Sequence, residues 1–183
     1  MPLVAIFVLA VDQWTKGLVR ARLPLYGIFV PFPTLQPWFK IVRWENTGAA
    51  FGILQGQGTI FIGVAVLVIV GVLIYLRQLP ADQWPVRLCL GLQLGGAAGN
   101  LVDRLRFGNH VTDFLLFTLP LRNRILAWPA FNVADSCIVI GVLVLAVLLL
   151  NDEGPRAGAD SRAAPPQPAA PPETPPSKGQ GLG

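Results

Sequence analysis

Charge is what this sequence has least of. Only 13% of its 183 residues are Asp, Glu, Lys or Arg, where a soluble domain carries about 25%. Hydrophobic residues make up 53% and mean hydropathy is +0.57, which points to a membrane protein. His110 is the single histidine and cannot build a zinc site alone. The two cysteines, Cys89 and Cys137, lie in apolar runs and read as small packed side chains, not as a disulfide or a metal site. Basic residues exceed acidic ones slightly, giving a pI of about 9.6. No basic stripe with interleaved aromatics accompanies them, so nucleic acid is a poor partner. No glycine-rich phosphate loop follows a strand, and Ser136 has no lysine at useful spacing. We expect neither a cofactor nor a metal.

What the chain does have is four long apolar runs, at 2–19, 59–76, 86–102 and 131–150. Each approaches the ~20 residues a helix needs to cross ~30 Å of hydrocarbon. The first run lacks a basic start and is interrupted by Asp12 and Lys16, so it reads as a retained helix and not a cleaved leader. The third is diluted by Gly95, Gly96, Gly99 and Asn100. The expected fold is therefore an all-α polytopic membrane protein with four transmembrane helices over 1–150. Long connections at 20–58 and 105–130 fall on one side of the membrane and both termini on the other. Within the first connection, "WFKIVRWEN" alternates partly between apolar and polar residues and reads as strand, and Trp38 and Trp44 suit a membrane–water interface. The segment 151–183 is rich in Pro, Ala and Gly without aromatic residues, and reads as a disordered tail. Lys and Arg are more numerous in the long connections than on the other side, and this bias alone does not fix the orientation.

Charged groups at membrane depth are unfavourable by roughly 2.5–3.5 kcal/mol each on insertion scales, so those present need a reason. Asp12 and Lys16 are spaced i,i+4 and can pair on one face of the first helix. Asn100, Asp103 and Arg104 close the third run, Asn46 and Asp113 lie in the long connections, and Asn132 and Asp135 open the fourth run. Four spans collect all of them at one surface, with Asp12 somewhat deeper. Two readings remain open on the residues alone. In one, Asp103–Arg104 and Asp12–Lys16 are structural ion pairs and Asp135 caps a helix. In the other, Asp113 and Asp135, which have no sequence-local cation, share a proton and hydrolyse an amide bond without metal or covalent intermediate. A proton or ion carrier would spread its acidic groups through the membrane depth, and often shows paired halves; these gather at one surface and the halves do not match.

Four segments occurring in order sharpen the choice. "DQWTKG" at 12–17, "NTGAAFG" at 46–52, "GGAAGNLVDR" at 95–104 followed by "VTDF" at 111–114, and "FNVADS" at 131–136 resemble the motifs of the lipoprotein signal peptidase (signal peptidase II) family. The resemblance covers about residues 3–150 and implies a bacterial membrane aspartyl peptidase. It implies a catalytic dyad at Asp113 and Asp135, supporting or substrate-binding roles for Asn46, Gly48, Asn100, Asp103, Arg104 and Asn132, and a first-helix pair of Asp12 and Lys16. Gly48 with Ala49 and Ala50 would let a peptide backbone approach, and Arg104 would contact its carbonyls. The implied partners are the lipid bilayer and diacylglyceryl-modified prolipoproteins, cut immediately before the lipidated cysteine, with the enzyme acting as a monomer. The implied architecture adds a small extracytoplasmic β-cradle and an interfacial helix to the four spans. Both termini are then cytoplasmic, and the active site lies near the extracytoplasmic surface of the inner membrane. Two features depart from the family pattern: one extra residue near Asn109 or His110, between Asp103 and Asp113, and Thr112 where a valine is usual.

Overall fold

Pro2 and Arg22 bound the first helix, which begins where the sequence places an imino acid and ends on two cations. The computed structural model describes residues 1–48, 54–122 and 124–152; the 153–183 part of the predicted disordered tail lies outside the described residues. Helix α1 spans Pro2–Arg22, with Pro2 in its first turn and Arg20 and Arg22 in its last. Proline loses nothing at a position whose N–H is free anyway, and cations suit the negative end of the helix dipole. Helices α2 (Gly58–Gln78), α3 (Trp84–Arg106) and α4 (Val133–Asp152) follow.

Three helices are long and apolar enough to cross a membrane by length and composition: α1, α2 and the Val133–Asn151 stretch of α4. The expected fourth, α3, is long enough at 23 residues but too polar to pass on its own. The reason lies in its position. Helix α3 packs against α1, α2 and α4 at once, so much of its surface meets protein and not lipid. Its small residues allow this approach: a Cβ on Gly96 would stand 2.5 Å from the Ala134 carbonyl oxygen, and one on Gly99 would stand 2.5 Å from Asp12 Oδ2. Small residues at such contacts bring backbones together where no hydrophobic drive exists between helices.

The two long connections form a four-stranded antiparallel sheet in the order β1-β2-β3-β4. Its strands are β1 (Ile28–Phe29), β2 (Phe39–Asn46), β3 (Val111–Leu121) and β4 (Arg124–Ala127). The predicted strand around "WFKIVRWEN" is β2. A bulge between Ile41 and Trp44 interrupts its pairing with β3, after which Trp44 lies opposite Asp113 and Asn46 opposite Val111. Such a bulge re-aims the side chains beyond it. Arg43 ties the sheet to α1 by donating to the carbonyls of Arg20 and Leu23 at 3.3 and 3.2 Å. Between β1 and β2 the chain makes one 3-10 turn, Pro33–Leu35.

The turn after α3, where an extra residue is expected, is well defined. Helix α3 ends with Gly108 at φ 72° and Asn109 at φ 69°, and the Asn109 N–H returns to the Arg104 carbonyl at 2.9 Å. This is a Schellman-type closure. It delivers Thr112 so that its backbone N–H donates to Asp103 Oδ2 at 3.0 Å.

The molecule buries charged and amide side chains beside its apolar core and exposes many large apolar ones. Its largest fully buried side chains include Lys16, Asn132, Thr112, Asp12, Asp103 and Asp113, while Leu3, Leu67 and Leu150 are more than 70% exposed. That is the arrangement a lipid solvent selects.

Candidate active site

The buried polar groups form two adjoining clusters. The first joins α1 to α3. Lys16 Nζ lies 2.9 Å from Asp12 Oδ2 and 3.4 Å from Asp103 Oδ2, all three side chains being fully buried. Asp103 Oδ1 also lies 3.5 Å from Arg20 Nη1 and accepts from Gln13 Nε2 at 3.0 Å. Asp12 Oδ1 accepts the Ala134 backbone N–H at 3.0 Å, which ties the cluster to α4 as well. The expected Asp12–Lys16 pair is present. The expected Asp103–Arg104 pair is not: successive helix residues do not face each other, and Asp103 turns to Lys16 and Arg20.

Arg104 points the other way. Its guanidinium is 5.1 Å from the Phe61 ring centroid, and Nη2 makes a long 3.4 Å bond to the carbonyl of buried Gly48. Its Nε is buried without a hydrogen-bond partner among the described residues. A buried guanidinium so weakly engaged keeps donors in reserve.

The second cluster holds the other two aspartates. Asp113 sits on β3, opposite the bulged strand, and not in an irregular loop. Asp135 sits in the first turn of α4. Asn132 precedes that helix and caps it: its Oδ1 accepts the Asp135 N–H at 2.9 Å, while Asp135 Oδ2 accepts the Asn132 N–H at 3.2 Å. This reciprocal box fixes the Asp135 rotamer. Asn100 Nδ2 donates to Asp135 Oδ1 at 2.7 Å. Asp113 accepts from Asn46 Nδ2 at 3.0 Å and from Asn132 Nδ2 at 2.7 Å. Asn46 is itself oriented, because its Oδ1 accepts the Gly48 N–H at 3.0 Å.

Both carboxylates therefore meet neutral amide donors and no direct cation, and both line one pocket of about 430 Å³. Asn46, Trp128, Pro129, Ala130, Phe131 and Val139 complete its walls. Burial, then the nearby charge of Asp135, pushes Asp113 up to about 7, against the hydrogen bonds of Asn46 and Asn132. At neutral pH this carboxyl can hold or release a proton.

The fold thus brings Asp113, Asp135 and Asn46 to one pocket, with Asn100 and Asn132 hydrogen-bonded to its carboxylates, Lys16 bonded to Asn100 and to Asp12 and Asp103, and Arg104 bonded to Gly48. Ala49 and Ala50 lie outside the described residues. Sequence reasoning missed Gln13, which donates to Asp12, Asp103 and the Gly99 carbonyl, and Arg20, which bridges Asp103 and Thr112 Oγ1. The signal was there in the i,i+4 series Asp12, Lys16, Arg20 along one face of α1. No group of three or more His, Cys, Asp or Glu placed to hold a metal occurs among the described residues.

Comparison with known proteins places the chain in a family. A family model described as "Signal peptidase (SPase) II" matches residues 4–151. The lipoprotein signal peptidase of Moorella thermoacetica is 43% identical over 155 residues, spanning 83% of this chain and 93% of the relative. That of Bacillus subtilis is 37% identical over 152 residues, spanning 83% and 94%. Among solved structures, a bacterial membrane enzyme determined by the in meso method at 2.3 Å superposes with a TM-score of 0.73 at 28% identity, covering 83% of this chain and 88% of that one. A second, at 1.9 Å, gives a TM-score of 0.69 at 29% identity, covering 82% and 92%. With the family match running through all four helices and the sheet, the chain belongs to the signal peptidase II family of membrane proteases.

Proposed function

We propose that this protein is an aspartyl endopeptidase that removes the signal peptide from diacylglyceryl-modified prolipoproteins, cutting immediately before the lipidated cysteine. The observation that carries the reading is the pair Asp113, buried, and Asp135, half-buried, which line one pocket and are partnered by neutral amides. One carboxylate takes a proton from water, and the water oxygen attacks the scissile carbonyl. The other, protonated, gives its proton to the carbonyl oxygen. Collapse of the tetrahedral intermediate breaks the C–N bond, and the protons pass to the leaving amine and back to the second carboxylate. Holding water and amide together supplies the proximity that solution lacks.

The pocket walls suit a lipid-bearing substrate. Val139 is 55% exposed on α4, a helix apolar enough to face hydrocarbon, so the pocket opens toward the region where acyl chains reside. Arg104, held to the Gly48 carbonyl only by a 3.4 Å bond, would turn its guanidinium to the backbone of the signal peptide. In the membrane, α3 spans as a fourth helix shielded by the other three, and the sheet forms the extracytoplasmic cradle. Both termini are cytoplasmic, the enzyme sits in the inner membrane, and it acts as a monomer.

The test is cleavage of a diacylated prolipoprotein by the purified full chain in detergent, with mass spectrometry of the product. The expected product begins at the lipidated cysteine, and the unlipidated substrate stays uncut. Intact substrate after incubation with folded wild-type protein defeats the reading. Asp103→Asn run beside Asp113→Asn checks the dyad: abolition by the first and survival of the second would move the chemistry to the other cluster.

A further inference from the structure

The proposed chemistry needs its two carboxylates in opposite protonation states at the same moment. Residue type does not decide which is which, but the surroundings do. Each carboxylate receives two N–H donors: Asp113 from the side chains of Asn46 and Asn132, Asp135 from the Asn100 side chain and the Asn132 backbone. The difference stands one bond further back. Behind Asn46 is the neutral N–H of Gly48. Behind Asn100 is Lys16, whose ammonium donates to Asn100 Oδ1 at 2.9 Å. That orientation of the amide is forced, since an ammonium has donors only. An amide whose oxygen is held by a full positive charge is polarised, and its N–H becomes the stronger donor. Asp135 also lies in the first turn of α4, where the helix dipole favours negative charge, whereas Asp113 lies on a strand.

We infer that Lys16, acting through Asn100, is a positioning residue that holds the dyad's negative charge on Asp135, so that Asp135 takes the proton from water and Asp113 gives its proton to the carbonyl. This assignment rests on the peptidase reading above. In the attack, the water O–H bond breaks toward Asp135 as the C–O bond forms, and Asp113 becomes the carboxylate. In the collapse, Asp135 passes its proton to the leaving nitrogen as the C–N bond breaks, and Asp113 recovers a proton from the diol. No further reactant is needed.

The other charged groups around the dyad leave the asymmetry standing. On α1 and α3, Asp12 and Asp103 share Lys16 with Asn100, and Arg20 offsets Asp103 at 3.5 Å. Arg104, also on α3, hydrogen-bonds the Gly48 carbonyl while its charge acts on Asp135 first and Asp113 second, in the same sense as Lys16. On β2, Glu45 is taken up by Arg43 at 3.2 Å and by His110 at 3.5 Å. The elevation of Asp113 to about 7, by burial and then by Asp135, fits its place as the protonated partner.

The pH–rate profile of the full chain on a diacylated prolipoprotein tests this. The acidic limb reports the first proton leaving the dyad and the basic limb the second. Removing the ammonium in Lys16→Met should move the acidic limb upward by about one pH unit or more, and the basic limb by less, while Lys16→Arg keeps both limbs near their wild-type positions. Limbs that stay put, shift equally, or shift more on the basic side overturn the assignment. If Lys16→Met does not fold, Asn100→Leu is read instead: it leaves Lys16 with Asp12 and Asp103 and removes both the Asn100 donor to Asp135 and its tie to Lys16, so it should raise the acidic limb at least as far, and an unmoved limb overturns the proposal. A wild-type enzyme that cuts nothing instead removes the peptidase reading itself, a result separable from unmoved limbs in an active enzyme.

Discussion

Asp12 on α1 and Asp103 on α3 lie against Lys16 and Arg20; Asp113 on β3 and Asp135 on α4 lie against Asn46, Asn100 and Asn132. Both groups are densely hydrogen-bonded, yet their partners differ in kind. A carboxylate facing a cation is tied to its charged form, and its attraction holds helices in register. A carboxylate facing neutral amides is oriented with equal care but left free to exchange a proton. On the proposed reading, partner type is what separates scaffold from chemistry among the four aspartates.

Substitutions that erase the difference should have the largest effects. Asp113→Asn or Asp135→Asn keeps shape and removes the exchangeable proton; each should lower the cleavage rate at least about a thousandfold while thermal unfolding in detergent still shows a cooperative transition. Loss of the transition would make this pair scaffold too. Next comes the ionic cluster: Asp103→Leu leaves Lys16 and Arg20 short of a partner and frees the Thr112 N–H, and should lower stability by about 3–5 kcal/mol. A stability change below about 1 kcal/mol, measured by denaturant titration, would deny the cluster its structural role.

Smaller effects sharpen the contrast. A methyl on Gly99 would meet the Asp12 carboxylate, which is itself held by Lys16 and the Ala134 N–H, so Gly99→Ala should cost about 1–3 kcal/mol. The measurement is again the unfolding midpoint, and an unchanged value would show that the carboxylate yields. The finest effect concerns pH. The folded-state value of Asp113 is raised to about 7 from an ordinary 3.8, so its proton stabilises the fold fully below the ordinary value, and that stability is lost as pH rises through the raised one. Relative to wild type, Asp113→Asn should therefore gain stability between about pH 4 and pH 7, by roughly 1–2 kcal/mol after allowing for the hydrogen bond the new amide loses. Parallel stability curves for the two proteins across that window would contradict the raised value.

Much of this was legible in the residues. Runs of apolar sequence placed all four helices, and the alternation in "WFKIVRWEN" placed β2. The i,i+4 spacing gave the Asp12–Lys16 pair. Adjacency misled at Asp103 and Arg104, because neighbours in a helix point about 100° apart. The polar character of α3 reads as a weak span in isolation and makes sense only once three helices surround it. Asp113 counts as a loop residue until the bulge in β2 sets it opposite Trp44, a long-range register that no local pattern carries. That Gly108 and Asn109 close α3 in left-handed conformations was not legible.

The inverted burial has a consequence for how this chain tolerates change. In a soluble enzyme, random substitution is forgiven at the charged exterior and punished in the oily centre. Here Leu3, Leu67 and Leu150 should accept almost any other apolar residue, while Lys16, Asp12, Asn132 and Thr112, which in another protein would pass as interchangeable surface residues, have hydrogen-bonded neighbours that few replacements satisfy. A saturation scan of this gene should therefore read as the negative of a soluble enzyme's map, and drift among its relatives should be fastest in leucine and valine and slowest in the charges.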